Sequence, residues 1–334
     1  MSDVQQTSTL PVAADRADEG RASGRPADPR AGGTGGARQA RPRKAVPWGR
    51  VLAWIVMGVV LLVTIFPFYW ILRTALSSNG ALYANASSLL PVDPTWNGFA
   101  RVFGAQSVED AIADGGSGAK LDFWRYLGNS VIVATTVTVF QVFFSAMAAY
   151  AFSRLRWKGR DLVFGAFLLS LMVPVIFTLL PNFLLVKQLG LIDNLFGIML
   201  PSLFMTPFAI FFLRQFFLNV PKEVEEAALV DGASKIAIFF KLIIPMSTAP
   251  IATVSILTYM TQWNDYFWPL MVSYTDDSRV LTVALGAFRA QSPSGGPDWS
   301  GLMAATLVAA LPMIVLFSLF AKRIVANIGF NGIK

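Results

Sequence analysis

The sequence has no cysteine and no histidine. Those two absences remove disulfides, thiolate chemistry, histidine-based metal sites and histidine-based acid/base catalysis together, and they argue against a triad hydrolase or a membrane metalloprotease. Charge is scarce as well, at 14% of 334 residues. No GxxxxGK[ST] phosphate loop occurs, so the chain cannot hydrolyse ATP by itself; the GGTGG at 32–36 has no preceding strand and no following P-loop lysine. Apolar residues fill the space these absences leave. They make up 54% of the chain, and mean hydropathy is +0.55, too apolar for a water-soluble domain.

A helix crossing about 30 Å of hydrocarbon needs about 20 mostly apolar residues. Six stretches meet that length, near 51–72, 127–152, 162–186, 195–217, 248–270 and 302–321. The pattern predicts an all-α integral membrane protein with six spans. The formal charge of +7 does not indicate nucleic acid, because the basic residues are spread over termini and loops in no basic domain. With a cytoplasmic N-terminus, twenty of the 27 Lys and Arg fall on inside segments. The positive-inside rule then places both termini in the cytoplasm. On this reading Arg154, Arg156, Lys158 and Arg160 are topology determinants. Residues 1–45, rich in Ala, Gly, Pro, Arg and Asp, bury too little apolar surface to offset ordering entropy and are expected to form a disordered cytoplasmic tail.

Internal prolines at 174, 181, 201 and 207 free backbone carbonyls within spans three and four, as suits helices lining a path through protein. In span two, Ser145, Ala146, Ala148 and Ala149 allow close helix approach. Residues 73–126 and 271–301 read as the large outer loops, and the stretch 104–120 within the first has no assignment.

One loop stands apart, PKEVEEAALVDGASKIAIFFKLIIP at 221–245. Pro221 suits a first helical turn, with Asn219 as a cap before it, and Glu223, Glu225 and Glu226 suit the positive end of a helix dipole. Val224, Ala227, Ala228 and then Val230 or Asp231 follow helical spacing, and the alanines leave that face flat enough for another protein to approach. Gly232 permits a φ > 0 turn before a second short helix. The expected form is helix, sharp bend, helix.

Glu226-Ala227-Ala228, Gly232 and Pro245 at this spacing resemble the cytoplasmic EAA loop of importer permeases of the ABC family. Where that loop ends Ile-x-Leu-Pro, this chain has Leu242, Ile243, Ile244 and Pro245. The segments PVDPTWNGFARVF and FWRYLGNS, the Asn129-Ser130 pair, AAYAFSRLRWKGR and Trp263-Asn264-Asp265 resemble the carbohydrate-importer branch, so the likeness covers about 51–334.

The resemblance implies the type I importer permease fold, with six transmembrane helices in a domain at 46–334 and a coupling loop at 219–247. It implies a site in the bacterial cytoplasmic membrane, and a subunit like the smaller permease of maltose-type systems. It also implies partners: a second permease, an ATPase dimer that holds the ATP and Mg, and an extracytoplasmic sugar-binding protein, with membrane lipid around the chain. No cofactor is expected in the chain itself. Glu226, Ala227, Ala228, Asp231, Gly232 and Pro245 would form the ATPase-coupling element. Trp263, Asn264 and Asp265 in the most polar span read either as part of the translocation path or outer gate, or as a hydrogen-bonded interfacial belt. The rival class is an ion-coupled secondary carrier, which would place ionisable residues deep in its spans; Asp265, near a span end, is the one acidic residue placed in a span.

Overall fold

The computed structural model describes residues 48–118, 121–286, 288 and 296–328. The expected tail at 1–45 lies outside them. The chain divides into two units, Met1–Ile55 and Val56–Lys334; the first is described only for the opening turns of α1. Among the described residues the structure is helical throughout, with one isolated antiparallel bridge between Ser77 and Pro94.

Helix α1 (Trp48–Ala75) is long and apolar, and the chain buries none of its most hydrophobic stretch. α5 (Phe123–Arg154), the central helix, follows three short helices, α2 (Asn79–Ala84), α3 (Asn97–Val102) and α4 (Val108–Ala113). Beyond α5 come α6 (Arg160–Ser170), α7 (Ile176–Gln188), α8 (Leu195–Met199) and α9 (Pro207–Leu218). Two further runs are bent: α10 (Lys222–Val230) and α11 (Lys235–Ile238) lead through a π-helical turn, Phe239–Ile243, to α12 (Ile244–Met246) and α13 (Thr248–Trp263). The chain closes with α14 (Phe267–Val272), α15 (Leu281–Leu285) and α16 (Trp299–Ile328).

The core forms around α5, which packs on α9 and α13. Small side chains make that approach possible: Ser145, Ala146 and Ala149 are buried, and the Ser145 hydroxyl accepts a hydrogen bond from the Thr206 N–H at 3.2 Å.

Of the six spans expected from hydropathy, the structure gives three as single long helices and others as bent or broken runs. Among the described residues three helices, α1, α5 and α16, are long and apolar enough to cross a membrane, and there are up to five spans if each bent pair counts as one. The pairs are Leu195–Ser202 with Pro207–Leu218, bent by 50°, and Lys235–Met246 with Thr248–Trp263, bent by 80°. The stretch expected as a third span, 162–186, is broken between α6 and α7 around Pro174, which has no N–H to continue the helical ladder. Pro181 instead sits inside α7, and Pro207 occupies the first turn of α9 beneath a Thr206 cap.

The outer segment 73–126 is more structured than its turn residues suggested. Asp298 has no exposure and forms an ion pair with Arg101 (Nε to Oδ2 2.9 Å). The same carboxylate accepts from the Ser117 N–H and the Gly301 N–H, each at 2.8 Å. Arg101 also reaches Gln106 and Ser300, and Asn97 and Gln106 donate to Asp114. The unassigned stretch 104–118 is thereby tied to the start of α16. Gly98 lets α3 sit against both neighbours: a Cβ there would lie 2.9 Å from the carbonyl oxygens of Ala75 and Ser300.

A second turn is held by Asp193, at φ 56° between α7 and α8. Its carboxylate accepts from the N–H groups of Tyr274 and Thr275 and from the Ser278 hydroxyl. Burial opposes its ionisation, but these donors outweigh it and hold the carboxyl below the usual range. A depressed pKa stabilises the fold above the unfolded value, about 3.9, and that stabilisation disappears as pH falls through the folded value. Thermal midpoints in detergent between pH 6 and 3 should therefore drop more steeply below about pH 4 for the wild type than for Asp193→Asn, which keeps a residue tolerant of φ > 0. Parallel curves would exclude Asp193 as the cause.

Candidate functional site

The helix, bend and helix expected at 221–245 are present. α9 ends at Asn219, which serves as its C-cap, and Pro221 takes the N-cap position of α10. Pro221 therefore stands one position earlier than the sequence suggested, and Asn219 caps the end of α9 and not the start of α10. Glu223 and Glu225 fall in the first turn, while Glu226 lies beyond it. α10 ends in a Schellman arrangement: the Gly232 N–H donates to the Leu229 carbonyl (3.1 Å) and the Ala233 N–H to the Ala228 carbonyl (2.9 Å), with Gly232 at φ 82°. Ser234 then caps α11 by accepting from the Ala237 N–H at 3.2 Å.

The residues assigned to coupling divide by environment. Glu226, Ala227, Asp231 and Gly232 are exposed around the bend. Ala228 is half-buried and packs with Ala233 against the cluster that holds Phe217, Ile238 and Phe239. Pro245 is exposed but lies in α12, past the π turn and next to the 80° bend, so it shapes the exit from the loop and not its tip. The outward surface also carries Val230 at 88% exposure and Ile236 at 72%, apolar side chains that no described residue covers.

Beneath that surface lies a polar anchor built by residues the sequence reading gave other roles. Glu225 is buried, and its carboxylate lies 3.6 Å from Arg154 and 3.8 Å from Lys235. Arg154, in the last turn of α5 with its side chain also buried, donates to the carbonyls of Phe217, in the last turn of α9, and Val220, in the link to α10. Tyr150, one turn earlier, donates to the Lys235 carbonyl at 3.2 Å. Arg154 is thus a structural contact in addition to any role in topology, whereas Arg156 and Lys158 are exposed. Arg214 donates to the Phe152 carbonyl at 3.3 Å and stacks over the Phe164 ring, 4.2 Å from its centroid.

At the other end of α13, Trp263, Asn264 and Asp265 diverge. Trp263 is buried, stacked on Tyr259 with ring centroids 6.0 Å apart. The Asn264 amide turns back to the Met260 carbonyl at 2.8 Å. Asp265 alone faces a cleft, of about 370 Å³, which it shares with Asn182, Thr178, Ser202 and Phe267; its carbonyl accepts from Thr282 at 2.6 Å. No cluster of three metal-ligating side chains occurs among the described residues.

Comparison with known proteins adds a family and a fold. Residues 141–329 match the family described as binding-protein-dependent transport system inner membrane component. The arabinooligosaccharides transport system permease protein AraQ of Halalkalibacterium halodurans is 28% identical over 297 residues, covering 87% of this chain and 99% of that one. The trehalose/maltose transport system permease protein MalG of Thermococcus litoralis is 29% identical over 284 residues, covering 84% and 96%. Among solved structures, a chain of a bacterial ABC transporter involved in the import of the acidic polysaccharide alginate aligns with a TM-score of 0.67 at 24% identity, over 82% of this chain and 95% of that one. That likeness is one of fold.

Proposed function

Because the chain belongs to the family of binding-protein-dependent transport system inner membrane components, we propose that it is one permease subunit of an ATP-driven carbohydrate importer, paired with a second permease and an ATPase dimer. The observation that carries this reading is the family match over 141–329, which contains the whole of the α10–α13 run, supported by relatives named for oligosaccharide and maltose transport that align along nearly their full length. An extracytoplasmic binding protein delivers the sugar. The bent pairs, together with α6 and α7 as one interrupted span, complete six crossings with both termini in the cytoplasm.

In this assembly the face of Glu226, Ala227, Val230 and Asp231, with Gly232 at its bend, enters a cleft of the ATPase. Exposed apolar side chains on a polar loop are the expected form of such a surface, since they gain by burial against a partner. ATP and Mg reside on the ATPase, and this chain supplies no catalytic group. At the outer end, Asp265 is the member of the Trp263-Asn264-Asp265 trio that borders the path, a reading supported by its cleft with Thr178, Asn182 and Ser202 among apolar side chains; Trp263 and Asn264 support the helix end behind it. An ion-coupled carrier is not favoured by the family match.

The test is affinity purification of the tagged chain in mild detergent, with mass spectrometry of the co-purifying proteins and an ATPase assay on the eluate. Recovery of a second permease and a P-loop ATPase is the expected result. A stable chain recovered alone, with no ATPase activity, would sink the importer reading.

A further inference from the structure

The anchor beneath the loop connects elements that the chain places far apart. Arg154 ends α5, the helix around which the core is built, and it touches three points of the loop at once: the carbonyls of Phe217 and Val220 on the entering side and the Glu225 carboxylate in α10. The exit side is joined to the same place, since Lys235, the first residue of α11, faces Glu225 and its carbonyl accepts from Tyr150 of α5. Both arms of the bend are therefore fastened to the end of one helix.

These contacts are directional. The Phe217 carbonyl, in the last turn of α9, also accepts from the Val220 N–H at 3.2 Å, and the Val220 carbonyl lies in the link to α10; a guanidinium is one of few groups able to donate to both while facing a carboxylate. With Arg154 and Glu225 almost fully enclosed, their attraction is poorly screened by solvent, and separating them leaves two buried charges unpaired. A displacement of α10 must therefore either break this arrangement or carry the end of α5 with it.

We propose that Arg154 is a positioning residue that makes α5 a direct recipient of the loop's motion, so that closure of the ATPase is transmitted to the centre of the membrane domain through the Arg154–Glu225 contact as well as along the chain into α9 and α13. The inference rests on the importer reading and adds to it a route and a residue. Arg154 acts through Glu225 and the two carbonyls, and it touches neither the transported solute nor nucleotide.

The experiment uses the complete transporter, purified through this chain and reconstituted in liposomes with its binding protein and sugar, and compares wild type with Arg154→Gln, Arg154→Lys, Glu225→Gln and the charge exchange Arg154→Glu with Glu225→Arg. The quantity read is solute taken up per ATP hydrolysed, normalised to inserted complex. Arg154→Gln is expected to retain partner subunits and ATP hydrolysis within about twofold while uptake per ATP falls at least tenfold. Glu225→Gln should fall in the same direction by less, because the carbonyl contacts remain. Arg154→Lys should fall between, since an ammonium keeps the charge without the planar fork, and the charge exchange should recover part of the loss.

A residue with a merely structural role would lower yield and thermal midpoint but leave uptake per ATP unchanged in the complex that survives; that result, or wild-type coupling in Arg154→Gln, overturns the proposal. Should Arg154→Gln fail to assemble, Arg154→Lys and Glu225→Gln carry the decision by the same ratio. If the wild type itself recovers no ATPase, the importer reading fails, a result separate from any effect of these substitutions.

Discussion

Replacing Gly232 with valine is expected to lower uptake at least tenfold while leaving membrane insertion and protein level unchanged. The cause is backbone conformation alone. At φ 82° a β-branched residue is strained, whereas the space around the position is open, with no atom within 4 Å of where a Cβ would stand. Holding a non-glycine residue in this region costs about 1–3 kcal/mol, and about 1.4 kcal/mol corresponds to a tenfold change in population. The Schellman bonds from Gly232 and Ala233 would open, and the exposed face of α10 would lose its fixed angle to α11. A graded series isolates the effect: asparagine, which visits the left-handed region, should retain most activity, alanine less, and valine least. Uptake is measured in intact cells and divided by inserted protein. Equal activity for asparagine and valine would show that the turn geometry is not what the coupling surface requires.

Asp298→Ala is expected to destabilise the cap that 73–118 forms on the start of α16 by about 3–5 kcal/mol, the range for removing one partner of a buried ion pair. The loss is compound, because the substitution takes the nearer carboxylate from the Arg101 guanidinium, leaving Asp114 at 3.9 Å, and takes the Asp298 acceptor from the N–H groups of Ser117 and Gly301. Arg101→Met should cost less, since the Asp298 carboxylate keeps those two donors. Thermal unfolding in detergent gives the order of the two variants. Limited proteolysis should show earlier cleavage within 104–118 for Asp298→Ala than for wild type. The reverse order of stability would mean that Arg101, through Gln106 and Ser300, holds the cap independently of Asp298.

These two sites differ in how far the sequence disclosed them. Gly232 was legible because its signal is local: a glycine after a short amphipathic helix points to a turn wherever it occurs. The apolar spans were legible for the same reason, hydropathy being a property of contiguous residues, and the small side chains of α5 indicated close packing before any neighbour was known. The break around Pro174 was signalled by the proline, but hydropathy averages across a kink and returned one span. Arg101 and Asp298 are joined across 197 positions, with nothing in either neighbourhood to name the other. Arg154 looked like one of four basic residues at a membrane boundary, and only the fold separates it from the exposed Arg156 and Lys158. Trp263, Asn264 and Asp265 are adjacent in sequence yet take three different environments, because consecutive residues at a helix end point in different directions.

The run Lys235–Met246 meets Thr248–Trp263 at 80°, close to the geometry of a crank on a shaft. Twelve residues at 1.5 Å each give an arm of about 18 Å. A sideways push of about 1 Å at its far end then corresponds to turning the shaft by about 3° with almost no axial travel. Torque of this kind reaches α13 only as fully as the arm resists twisting, and the arm contains the wide π turn at Phe239–Ile243. In the proposed importer the stiffness of those five residues would set the gear ratio between what happens at the loop and how far the Asp265 end of the shaft swings.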